Sequence, residues 1–534
     1  MLIASILLFQ LIHSTEFIHP KDVSIGMEGF GLSAFQGTKI DTFKVKITGK
    51  LPPSVDGEEI ILAELKGDVV DEAGILSGMS GSPVYINGKL LGAIAYGWYF
   101  SKKPICGITS FVDMRKGKIS SKFGTGGLSL IKPVLNVSGF HLDSYSTLDS
   151  LPGNFVISSV QSSGQTVEPT PFVPGGVCGV SLVNGDGNIS MMGTITEIKG
   201  DTIFAFGHGA FETGSSSLPL CKGGVSGYLP SLYNSTKFLN PGDIVGTILF
   251  DGNSGVKGLL NREPPMADFK VNINNIKREY KITKMNNLFP SLSAFILLSS
   301  YIEEIGTYNP ITVKGDVHLF TNQGEINLYP VISGNNLHFV LYNDIIESLL
   351  FIQNNWYEGV SVDSLKVNIS TLKDVRKYRI KKLQLKKNEF KLGEEVVLSA
   401  IIDRFRMPDT TVTFKFNAPE EPSDLMLRVS GRNEFIAFER GRVPQKFEFD
   451  DFMEWEKFIN SLPRGDRVVF SLYKKGTMVG TEEGEIKDIP ISIQNIMSHI
   501  SDSEFNNFFS IFKEEVILNG PVTGEAMEFI EVRR

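Results

Sequence analysis

The pattern that most constrains this chain is a series of short apolar–polar alternations punctuated by glycine. Phe43-Lys44-Val45-Lys46-Ile47, Val84-Tyr85-Ile86 followed by Leu90-Leu91, and Ile244-Val245-Gly246-Thr247-Ile248 read as short strands bounded by turn residues. Between the middle pair lies Asn87-Gly88. A two-residue hairpin turn of type I′ needs φ > 0 at both central positions, and Asn-Gly is the pair that meets this most easily. Few segments before residue 285 sustain helical periodicity. The first half is therefore expected to be all-β, in barrels or sandwiches, and 534 residues exceed what one core can serve.

The Pro- and Thr-rich stretch Gly164–Pro174 reads as an extended connector between a block of about residues 20–130 and one of about 175–270. Beyond it, Leu288–Ile305 has apolar spacing suited to a helix. Strand-like runs return at Val317–Phe320, Leu337–Leu341 and Leu365–Ile369. From about Tyr378 the alternation is that of half-buried strands in a small sandwich, with amphipathic helices expected at Phe452–Leu462 and Phe505–Val516.

Residues 2–12 are apolar except for Ser5 and Gln10. A membrane-spanning helix needs about 20 apolar residues, so this run is expected to be the core of a signal peptide over 1–15, not an anchor. The expected location is outside the cytoplasm: periplasmic, cell-surface or extracellular. A net charge of −8 excludes the basic face of a nucleic-acid binder. Three cysteines, Cys106, Cys178 and Cys221, are too few for a disulfide framework. Either one bridge, Cys178–Cys221, or three buried thiols would suit them. No CxxC or HExxH occurs, so neither metal nor cofactor is expected. Asp251-Gly-Asn253-Ser-Gly255 resembles a calcium loop, but Arg262 stands where a bidentate Glu is required; it reads as a hairpin turn.

Two motifs carry chemistry. Gly78-Met79-Ser80-Gly81-Ser82-Pro83 brackets a serine with glycines just before the Asn-Gly hairpin. A nucleophilic hydroxyl needs an exposed tight turn with N–H groups facing the same pocket, and glycine permits the φ values such a turn demands. Read alone, the hexapeptide also suits a plain turn between strands. The second motif is Gly207-His208-Gly209. Of seven histidines, His208 has the most open local setting, at an expected strand end. Tyr96, Trp98, Tyr99 and Phe100 form an aromatic cluster after the serine hairpin, which would line a substrate subsite or simply pack.

With its flanking GDVVDEAGILS and VYINGKLLGAIAYGW stretches, the first motif resembles the serine-containing half of the SpoIVB peptidase family, peptidase family S55. Gly193–Glu197, FAFGHG, Pro241–Gly246 and Asp251–Gly258 resemble its histidine-containing half. The resemblance covers about residues 25–265 and implies two trypsin-like β-barrel halves, here with the serine half first. It makes Ser80 the nucleophile, His208 the general base, and the N–H groups of Gly78 and Ser80 the oxyanion hole. It also implies an acidic third residue upstream of the serine; Asp68 is the first choice and Glu64 the second, with Glu212 an alternative beside His208. The expected layout is then a serine half over 16–150, a histidine half over 151–270, a mixed α/β accessory region over 271–375, and a sandwich-like region with helices over 376–534. The implied activity is that of an exported serine endopeptidase acting on protein or peptide substrates, with no integral membrane segment once the leader is removed. The rival reading is a non-catalytic exported binding or envelope-assembly protein on a degenerate protease scaffold.

Overall fold

The computed structural model describes residues 16–52, 59–98, 100–118, 129–151, 155–158, 167–357, 359–481, 484–490, 492–493 and 505–534. The expected signal peptide lies outside the described residues. Strands dominate throughout, as the alternation requires. The chain divides into two compact units. One comprises Met1–Asp268 with Glu279–Ile296, the other Phe269–Arg278 with Leu297–Arg534.

The first unit opens with strands Glu28–Gln36 (β1), Lys39–Lys50 (β2), Ile60–Lys66 (β3), Leu76–Ser77 (β4), Pro83–Ile86 (β5), Lys89–Gly97 (β6) and Ile105–Ser110 (β7). Antiparallel pairing runs β5-β1-β2-β3-β7-β6 and closes through β5–β6, giving a six-stranded barrel. The period of two explains its core. In β2, Phe43, Val45 and Ile47 point inward while Lys44 and Lys46 face solvent. They meet Ile61, Ala63 and Leu65 of β3 and Ile108 of β7. Each such fully buried Val or Ile side chain contributes about 1.5–3 kcal/mol relative to an exposed one. Asn87 and Gly88 take φ of 51° and 73°, the left-handed pair required by their hairpin.

The chain then continues through Ser129–Leu130 (β8), Val134–Ser138 (β9), Val156–Ser158 (β10), Val177–Gly185 (β11), Asn188–Lys199 (β12), Thr202–Ala205 (β13), Gly214–Leu229 (β14), Ser235–Gly252 (β15) and Gly255–Leu260 (β16). Antiparallel pairing runs β12-β13-β16-β15-β14-β11 and returns to β12, closing a second six-stranded barrel. The Asp251 segment is the tight β15–β16 hairpin, with Gly252 paired to Gly255. Ala34 of the first barrel packs with Val177, Met192, Cys221 and Leu239 of the second. Cys106, Cys178 and Cys221 are all buried thiols, and burial pushes Cys106 and Cys221 up to about 12.

In the second unit, sheets formed around Glu395–Arg404 and Ser423–Ser430 share an apolar core that includes Val396, Leu398, Leu427, Val429 and Phe470, as in a sandwich. Helices Arg432–Arg442 and Phe452–Ser461 accompany it. Two expectations are corrected here. Leu337–Leu341 opens a helix, Leu337–Gln353, whose buried Leu337, Leu341, Ile345 and Leu349 recur every four residues. The five residues taken as a strand were too few to reveal that period. Phe505–Val516 is a strand, Phe505–Ile517, paired along Arg467–Thr481. Long-range pairing decides its state over local spacing. Among the described residues no helix is long and apolar enough to cross a membrane.

Candidate active site

The serine turn is built from inverted backbone geometry. Gly78 and Gly81 take φ of +92° and +97°, conformations that side chains resist. Met79, between them, is buried in the core of the first barrel. Within the turn, the Met79 N–H donates to the Leu76 carbonyl and the Ser82 N–H to the Met79 carbonyl. The Gly81 N–H reaches the Ile94 carbonyl of β6 at 2.8 Å. Among the described residues, the N–H groups of Gly78 and Ser80 donate to no side chain and to no backbone group outside the β4–β15 ladder.

The second barrel grips this turn from the other side. Thr194 on β12 donates its N–H to the Ser80 carbonyl (2.8 Å) and its hydroxyl to the Gly78 carbonyl (2.9 Å). Thr196, two residues on and on the same face, donates to the Gly81 carbonyl at 2.8 Å. The fit leaves no room: a Cβ on Gly81 would lie 2.0 Å from the Thr194 carbonyl oxygen. Beneath the turn, the Lys237 ammonium donates to Ser33 Oγ (2.7 Å), which bonds Ser82 Oγ (2.9 Å). Lys237 is wholly buried, and desolvation pulls its pKa down to about 7.

His208 follows β13 after a kink in which Phe206 and Gly207 have φ of 69° and 70°. A Cβ on Gly207 would approach Ala93 of the first barrel to 2.9 Å, so glycine permits the close approach. The result is a 2.5 Å contact between Ser80 Oγ and His208 Nε2. Ser80 Oγ also lies 2.7 Å from the Phe206 carbonyl. His208 Nδ1 donates to the Gly209 carbonyl at 2.7 Å, which leaves the Nε2 lone pair facing the serine. Burial lowers the pKa of His208, with the Gly209 and Ile131 backbones and Glu212 opposing. The imidazole is thus neutral at neutral pH and able to take a proton.

Of the acids expected near it, none bonds the imidazole. Asp68 is exposed in the first turn of helix Asp68–Ala73. Glu64 lies on β3 and pairs with Lys103 at the surface. Glu212 sits close enough to raise the histidine's pKa, but the Gly209 carbonyl holds the Nδ1 proton.

The carboxylate that matters here is one the sequence reading passed over. Asp251, fully buried at the end of β15, accepts the N–H groups of Ala210 and Phe211 at 2.7 Å each, and of Thr213 at 3.4 Å. It pins the loop that leaves His208. Burial raises its pKa against those N–H groups. Its only sequence signal was an acid opening a glycine-rich turn, which also suits an ordinary hairpin. Among the described residues no cluster of His, Cys, Asp and Glu is arranged to hold a metal.

A barrel pair joining a serine to an imidazole defines a serine-hydrolase type of site. Residues 18–114, which hold the first barrel and Ser80, match the family model described as SpoIVB peptidase S55. The match supports a serine peptidase as the class of this protein. The histidine stretch lies outside the matched residues. No curated protein and no solved structure matches the chain.

Proposed function

We propose that this protein is an exported serine endopeptidase that cleaves protein substrates through an acyl-enzyme on Ser80. The observation that carries this reading is the 2.5 Å approach of Ser80 Oγ to a His208 Nε2 whose partner nitrogen is already committed to a carbonyl. His208 takes the hydroxyl proton as Ser80 attacks the peptide carbonyl carbon. Charge developing on the carbonyl oxygen is met by the N–H groups of Gly78 and Ser80. The C–N bond then breaks and His208 returns the proton to the departing amine. Water repeats the sequence to free Ser80.

The Gly209 carbonyl orients the imidazole where a triad would use a carboxylate, so a Ser–His dyad carries the proton. Export rests on the apolar run at residues 2–12. Mature protein is incubated with a fluorophosphonate probe and with unfolded casein. Wild type is expected to label at Ser80 and to cleave, while folded Ser80→Ala does neither, a loss of about 10³-fold or more. Equal casein cleavage by the two would overturn the assignment.

A further inference from the structure

Ser80 and His208 are each only 1% exposed, so something closes the site. The cover is the chain itself. β6 runs away from the nucleophile turn: its Ile94 carbonyl holds the Gly81 N–H, and the next residues, Ala95–Gly97, form an edge leading out of the site. An extended peptide pairing with that edge would be delivered to Ser80, since strand addition is the general way a sheet edge binds a peptide. β8 already occupies it. Ser129 pairs with Gly97 and Leu130 with Tyr96, antiparallel, and the Ile131 N–H donates to the Ala95 carbonyl at 2.9 Å.

Ile131 is 6% exposed and belongs to the apolar cluster that also holds Leu76 and Met79, the residues leading into the nucleophile turn. It lies over Gly97, where a Cβ would meet the Ile75 side chain at 3.4 Å and Ile131 Cγ1 at 3.8 Å. A free space of only about 40 Å³ remains beside it, lined in part by Ile75, Gly97 and Trp98. The backbone of Ile131 favours the protonated form of His208. Among the described residues, the N–H groups of Gly78 and Ser80 meanwhile donate to no side chain and to no backbone group outside the β4–β15 ladder.

From this arrangement we infer that Ser129–Ile131 is a built-in substrate mimic. It fills the cleft on the acyl side of the bond to be cut and seats Ile131 in the specificity pocket. The inference rests on the peptidase reading above and extends it in two ways. The preferred substrate is an extended segment with an aliphatic residue of isoleucine size before the cleaved bond. The intact chain is largely self-inhibited, because Ser129–Ile131 fills the edge a substrate would use and only the small fraction of molecules with the segment displaced is competent.

The test uses the full mature chain, with Ile131→Gly to empty the pocket and Ile131→Asp to expel the segment, folding being checked by thermal melting. Fluorophosphonate labelling of Ser80 is expected to quicken about tenfold or more in at least one folded variant, as the competent fraction rises. Ile131→Gly should also cleave a tripeptide anilide ending in Ile about tenfold faster than one ending in Lys or Phe. Labelling at the wild-type rate in every folded variant would overturn the occlusion, and equal cleavage of the three anilides would overturn the pocket assignment. Ser80-dependent cutting of wild type after Ile131 would overturn self-inhibition by an intact segment. No labelling of Ser80 in any form, with wild-type melting, would sink the peptidase reading itself and this inference with it.

Discussion

The two barrels hold their chemical groups by different means. In the first, Ser80 is presented by a turn whose shape depends on two left-handed glycines and on hydrogen bonds between residues three apart. In the second, His208 leaves its strand into a loop pinned by Asp251, a carboxylate about forty residues further along the chain. Local geometry leaves a readable motif. A long-range brace leaves an unremarkable acid in a hairpin. The serine turn can be recognised from six residues, while the brace behind the histidine must be seen folded.

The sharpest way to break that contrast is to remove the brace. Asp251→Ala frees three N–H groups and should lower kcat/KM by about 10²-fold through misplacement of His208. Asp251 acts here as a positioning residue. The loss is therefore expected in kcat with KM held, and partial rescue by Asp251→Asn, which keeps one acceptor oxygen, should follow. A rise in KM with kcat unchanged would contradict the role.

Gly81→Ala attacks the other side. The new methyl collides with the Thr194 carbonyl in a φ that alanine resists, a cost of roughly 2–3 kcal/mol that urea denaturation would register. An unchanged urea midpoint would refute both the φ requirement and the clamp.

A smaller effect concerns the acid limb of activity. His208 has its pKa lowered by burial, so kcat/KM should stay high down to a pH below the usual 6.5 and fall only beneath it. A limb above 6.5 would mean that the imidazole works in a wetter setting.

Lys237 supplies a smaller test, of the floor beneath the serine turn. Its pKa near 7 in the fold lies below its ordinary 10.5, so the unfolded chain binds the extra proton between these values. Stability contributed by this group therefore climbs as pH rises from about 7 to 10, and the full penalty of a buried ammonium applies below 7. Lys237→Met should flatten that slope and gain about 1 kcal/mol at pH 6. An unchanged slope in pH-dependent melting would refute it.

Smallest of all are Asp68→Asn and Glu64→Gln. Neither side chain bonds the imidazole, and each should alter kcat/KM by less than about twofold.

These contrasts also show what the sequence made legible. Alternation and the Asn87-Gly88 turn were enough for a β-barrel reading, because period and φ requirements act within a few residues. The turn at Ser80 and the bend at His208 were legible for the same reason: their glycines mark backbone that side chains resist. The partner of His208 Nδ1 was not legible, because it is a backbone carbonyl and every residue carries one. Thr194 and Thr196 looked like ordinary strand residues, since their hydroxyls gain meaning only against a turn more than a hundred residues earlier. The helix Leu337–Gln353 and the strand Phe505–Ile517 were misread because short apolar runs suit either state until their neighbours are known.

The grip of β12 on the serine turn has a consequence for the newborn protein. Ser80 is translated well before Thr194 and Thr196, so a ribosome-bound chain carries the hydroxyl for some time without the clamp that shapes its surroundings. On the proposed mechanism, reactivity cannot precede completion of the later barrel. A truncated product ending before that strand would be harmless to its neighbours, a safeguard that comes from gene order alone.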